Sequence, residues 1–187
     1  MDTYLNRPLP QAKTVAPWTH VCVILLALLG GILGIGGSVI SEVASGGGLA
    51  LLPFIGAPII EEAFKPIGVF LAFVRWPDAL RNRLYVAILC ACAGIVFGLV
   101  ESTIYVFVYA RDQGASYTLF RYTVPVAIHG IASFTVGLGM SRGVVEWVNR
   151  GAPVPPRARR FYLAGVTIHG TYNIVVTILY VVGVLQF

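Results

Sequence analysis

Five stretches of this chain, roughly residues 18–43, 49–76, 84–110, 117–140 and 161–187, are apolar enough and long enough to leave few choices of fold. Each can cross a hydrocarbon core about 30 Å thick, which takes about 20 helical residues. Inside lipid the backbone must satisfy its own hydrogen bonds, so such stretches fold as helices. The expected fold is all-α: a polytopic transmembrane helical bundle of about five spans. The residues are 57% hydrophobic and only 11% charged, which leaves no stretch for a separate soluble domain, so 1–187 reads as a single integral membrane domain. Residues 1–17 are polar, contain prolines and lack the apolar core of a signal peptide; they read as a short cytoplasmic lead-in. Pro53, Pro58 and Pro66 predict a second span that is kinked or broken.

The formal net charge of +5 raises the question of nucleic acid, and the placement of the basic residues answers it. Arg7 and Lys13 precede the first span. Arg75, Arg81 and Arg83 join the second and third, and Arg142, Arg150, Arg157, Arg159 and Arg160 join the fourth and fifth. The alternate connections hold only Arg111. This is the positive-inside pattern of a multi-pass cell-membrane protein with its N-terminus cytoplasmic and its C-terminus outside. The partner implied is the lipid bilayer, with no nucleic acid. Cys22, Cys90 and Cys92 all sit in apolar runs without metal-knuckle spacing and read as packing residues.

Against this background the charges of Glu61, Glu62 and Lys65 stand out, because they lie near the middle of the second span. A charge at the bilayer centre costs about 2.5–3.5 kcal/mol on insertion scales, so such residues mark function by default. Lys65 is four residues from Glu61 and three from Glu62, which places one ammonium beside both carboxylates on one helical face. His129 lies at the midpoint of the fourth span. His169 and Asn173 share one face of the fifth at an i, i+4 spacing. Glu101 lies about four residues past the midpoint of the third span, about 6 Å towards the outside, with Tyr105 one turn on to orient its carboxylate. Four spans thus deliver acids, imidazoles or a carboxamide to a single slab. Arg121, near the outer end of the fourth span, reads as an interfacial charge that snorkels.

Carboxylates with two imidazoles suit a metal or a proton relay. Two His and one Glu form one known catalytic zinc set, and Glu101, His129 and His169 supply it. Glu61 or Glu62 then remains as general base, and Asn173 as a donor to the developing oxyanion. The chain contains neither HExxH nor GxSxG, and Asp2, Asp78 and Asp112 all lie outside the spans. Serine and aspartyl mechanisms are disfavoured, and Ser133 reads as packing or support. A transporter or channel that uses the same Glu/His cluster as an ion relay is the competing reading. No inverted repeat is visible, and five spans do not halve.

The ordered set Glu61-Glu62-Ala63-Phe64-Lys65, Phe97-Gly98-Leu99-Val100-Glu101, His129 and His169-Gly170-Thr171-Tyr172-Asn173 resembles the motifs of the PrsW family of intramembrane proteases. The CAAX prenyl endopeptidase and Abi superfamily has a similar paired-glutamate motif, middle histidine and final HxxxN. The resemblance implies a polytopic helical protease that hydrolyses a peptide bond in a membrane-anchored protein or peptide; the bacterial PrsW type cleaves an anti-sigma factor at an extracytoplasmic position. Glu101 favours a metalloprotease using Zn2+, while the Abi branch allows glutamate and histidine to activate water without a permanent metal.

Overall fold

The computed structural model describes residues 14–44 and 52–186, with side chains for 14–39 and 54–186. All regular structure among them is helical. In order these are α1 (Pro17–Ala44), a π-helical turn (Leu52–Gly56) leading into α2 (Ala57–Phe64), α3 (Ile67–Arg75), a 3₁₀ turn (Pro77–Leu80), α4 (Arg83–Ile104) ending in a second π-helical turn (Tyr105–Tyr109), α5 (Ala115–Gly139), α6 (Arg142–Arg150) and α7 (Pro156–Val181). Four of these, α1, α4 with its π turn, α5 and α7, are each long and apolar enough to cross a membrane. They correspond to the first, third, fourth and fifth stretches of the sequence. Most of the lead-in and the start of the second stretch lie outside the described residues.

The second stretch is broken, as its prolines predict. Pro66 has no N–H to offer the Glu62 carbonyl, and the helix lapses across Lys65 and Pro66 before α3 begins. The break separates two differently packed pieces. α3 lies against α1 through small residues: a Cβ on Gly68 would run into the Leu26 carbonyl, and one on Gly30 would come within 2.6 Å of the Gly68 nitrogen. Val23 and Ala27 of α1 meet Val69, Ala72 and Phe73 of α3 in the buried apolar core. α2 also packs on α1, where a Cβ on Gly37 would press on Phe64, and it reaches α7 and α5 besides.

α4 and α5 form the closest helix pair, and glycine sets their distance. A Cβ on Gly98 would lie 2.9 Å from both His129 Cδ2 and Val126 Cα, so a side chain there would push His129 and α5 away from α4. Within α5, Pro125 removes the donor that the Arg121 carbonyl would otherwise accept, and the Ser102 hydroxyl of α4 donates to that carbonyl at 2.6 Å instead. The outward faces of α1 and α7, including Leu25, Leu29, Ile174 and Ile178, are exposed apolar surface suited to lipid.

The basic connection between α5 and α7 holds a helix that the sequence reading treated only as loop. α6 places Val144, Val145, Trp147 and Val148 on one side and Arg142, Glu146, Asn149 and Arg150 on the other. It stops at Gly151, whose φ of 66° is left-handed and whose N–H returns to the Trp147 carbonyl. Arg142 ties it to the 3₁₀ turn through Asp78 at 2.8 Å. The Asp78 carboxyl, hydrogen-bonded by Arg81 and then by Arg142, is held below its ordinary value.

Candidate active site

The polar residues of four helices meet in one buried layer. Lys65 is at its centre, fully buried, with its ammonium 2.6 Å from Glu62 Oε1 and 3.3 Å from Glu61 Oε2. The same nitrogen lies 2.8 Å from His129 Nδ1 and 4.3 Å over the Phe97 ring. Because an ammonium only donates, His129 Nδ1 accepts, and His129 Nε2 carries the hydrogen donated to Glu101 Oε2 at 3.1 Å. His169 arrives from α7 with Nδ1 3.1 Å from Glu62 Oε1. Its ring meets that of His129 edge to face at 4.7 Å between centroids.

Glu62 is therefore a fixed group. One oxygen serves Lys65 and His169, and the other accepts from Ser133 at 3.0 Å. This gives Ser133 the supporting role that its position one turn after His129 suggested. Glu61 differs. Its Oε2 is buried and makes no hydrogen bond among the described residues; it is held by the Lys65 charge at 3.3 Å and lies 3.8 Å from His169 Nε2. A buried carboxylate oxygen that lacks a hydrogen bond is costly, and here the Lys65 charge offsets part of that cost.

Glu61, His129 and His169 can each offer one ligand atom within 4.8 Å of the others, and all three are buried. This group has Glu61 where the sequence-derived set had Glu101. Glu101 stands one step further out, its Oε2 shared between His129 and Arg121 at 3.1 and 2.9 Å. Asn173 lies four residues beyond His169 on α7 and is half-buried. Tyr105 faces the layer through Arg121, whose guanidinium lies 4.0 Å over its ring.

Arg121 corrects the sequence reading. Its side chain is 12% exposed and turns inward to Glu101. A carboxylate one helix away at the same depth outweighs the pull of the interface, and the Glu101–Arg121 spacing across two helices gave no sign of this in one dimension. With neutral imidazoles, the formal charges of Glu61, Glu62 and Glu101 exceed those of Lys65 and Arg121 by one, so the layer has a negative balance that a cation would relieve.

The sequence model of the PrsW family of intramembrane metalloproteases matches residues 8–187, nearly the whole chain. The chain belongs to the PrsW family. No curated protein and no solved structure matches it. PrsW membership together with four apolar helices makes it a multi-pass membrane protein of an intramembrane protease family. The donor set of the layer also fits the metal that the family description implies: one buried carboxylate oxygen that makes no hydrogen bond among the described residues, and two imidazoles within 4.8 Å of it. His129 is the demanding ligand, because both its nitrogens are already hydrogen-bonded and one bond must yield.

Proposed function

We propose that the chain is an intramembrane endopeptidase that hydrolyses a peptide bond in a membrane-anchored protein substrate. The observation that carries this reading is the convergence of Glu61, His129 and His169 in one buried layer, each able to offer one ligand atom within 4.8 Å of the others. Those three residues would hold a divalent ion, zinc being the expected one, which when bound polarises a carbonyl and acidifies water.

The surrounding residues prepare that layer. Glu62 accepts from His169 Nδ1 and so directs the Nε2 lone pair at Glu61, the familiar carboxylate–imidazole orientation of ligating histidines. Glu101, backed by Arg121, holds His129 through Nε2, which leaves Nδ1 to Lys65 until that bond yields. Lys65 offsets the paired glutamates. Asn173, on the His169 face of α7, is the candidate donor to the oxygen of the scissile carbonyl. A cavity of about 300 Å³, lined by Tyr117, Arg121 and Tyr180, lies on the Glu101 side of the layer and suits the approach of a peptide. The gathering of Arg75, Arg81, Arg142 and Arg159 at the opposite end of the bundle supports a cytoplasmic α6 end and an outer opening for this cavity.

The engagement of both His129 nitrogens supports a second reading, hydrolysis without a permanent metal. There Glu61 is the base that draws a proton from water, and His169 Nε2, 3.8 Å away, is the adjoining relay. Metal analysis separates the two: about one zinc per chain in active protein supports the first, and active protein without a stoichiometric divalent ion supports the second. Proteolysis is tested with single-span membrane proteins tagged at both ends and co-expressed with the chain. Release of a tagged fragment is expected to fall by roughly 10²–10⁴-fold in Glu61→Gln, His129→Ala and His169→Ala, with insertion intact. Undiminished release in all three would sink the proteolytic assignment.

A further inference from the structure

A second cavity, of about 430 Å³, lies on the other side of the layer among α3, α5, α6 and α7. Its volume is within the range of small-molecule sites. The walls are apolar, with Phe70, Val136, Met140, Val144, Trp147 and Ala158 among them; Glu62 and Arg159 also line it. The Glu62 carboxylate is turned onto Lys65, His169 and Ser133, so its contribution to the cavity is the aliphatic stem. Arg159 precedes His169 by ten residues of one helix, about 15 Å at 1.5 Å per residue, and His169 touches Glu62. The cavity therefore spans about half a hydrocarbon core, from the start of α7 to the polar layer.

The rim is basic. Segment 141–160 has five arginines against one acid, Glu146. Arg142 is occupied by Asp78, and Arg157 by the Leu138 carbonyl. Arg150, Arg159 and Arg160 are exposed and form no ion pair among the described residues. α6 beside them has no fully buried residue, and it sets Trp147 and Val148 against arginines in the pattern of a helix lying in a membrane interface.

We propose that this cavity binds one acyl chain of an anionic phospholipid, with the phosphate at Arg159 and the chain running inward to Glu62. The apolar length matches one leaflet, and the unpaired guanidinium sits where the headgroup of such a lipid would lie. The proposal does not depend on the hydrolytic reading.

The full chain, purified in a non-ionic detergent, would be incubated with equimolar dioleoyl phosphatidylglycerol and dioleoyl phosphatidylcholine, and the lipid it retains read by native mass spectrometry. Phosphatidylglycerol is expected to be favoured by roughly fivefold, Arg159→Gln to bring the two lipids level, and Val144→Trp, which fills the cavity from a peripheral helix, to lower retention of both. Val148→Trp provides a second filled variant should the first not accumulate. Equal retention of the two lipids by the unaltered chain, or phosphatidylglycerol retention unchanged by Arg159→Gln and by filling, overturns the proposal. Displacement of the lipid by a single-span polyleucine peptide also overturns it and assigns the cavity to a substrate segment.

Discussion

α2 and α3 are two halves of one apolar stretch, interrupted at Lys65 and Pro66, and they are held by different physics. α3 is fixed by backbone contact with α1 at Gly68 and Gly30 and by small apolar side chains. α2 shares the packing on α1, at Gly37, and is held by charge as well: Glu61, Glu62 and Lys65 reach histidines on α5 and α7. The apolar half anchors the stretch in the bundle, while the polar half keeps one carboxylate oxygen, on Glu61, that is held by charge alone and by no hydrogen bond among the described residues.

The largest break in this contrast is expected from Lys65→Met. It leaves Glu62 buried without its cation, at a cost of roughly 3–5 kcal/mol, read as a large drop in thermal stability in detergent. The variant that also carries Glu61→Gln and Glu62→Gln is expected to recover much of the loss, because both carboxylates that Lys65 pairs are then neutral; no recovery would mean that Lys65 acts by shape alone. Next is Gly68→Ala in the other half. Overpacking against Leu26 is expected to cost about 1–3 kcal/mol, with cleavage per folded molecule little changed. A selective loss of cleavage without loss of stability would show that α3 does more than anchor. The smallest effect is expected from Asp78→Asn at the end of α3. The Asp78 carboxyl is held below its ordinary value by Arg81 and Arg142, so its contribution is complete above the unfolded value and lost as the pH falls through the lowered folded value. The melting temperatures of the variant and the unaltered chain should therefore differ slightly near neutrality and converge in acid. A gap that widens in acid would contradict the ion-pair account.

The sequence carried the helical class and the broken span, because apolar length and proline act locally. It also carried the common depth of Glu61, His129 and His169, since depth in a membrane follows from position along each span. What it did not carry was rotation. The imbalance between Glu61 and Glu62, one carboxylate oxygen without a hydrogen bond among the described residues and the other carboxylate fully engaged, depends on which way adjacent residues point in the last turn of α2 before Phe64. The inward turn of Arg121 depends on α4 and α5 approaching closely at Gly98, a contact between residues far apart in sequence. α6 was hidden for another reason: its arginines were already explained by topology, so the apolar spacing of Val144, Trp147 and Val148 was not read as a helix.

The proline in α5 has one more consequence. Arg121 precedes Pro125 and His129 follows it, so the two residues ride on opposite sides of a joint in one helix. Both hold the same oxygen of Glu101, which makes that carboxylate a clasp across the joint, with Ser102 as a second fastening on the Arg121 carbonyl. Any event that draws Glu101 away from either partner would also loosen α5 at its weakest point, coupling the chemistry of the layer to the bending of the helix that carries His129.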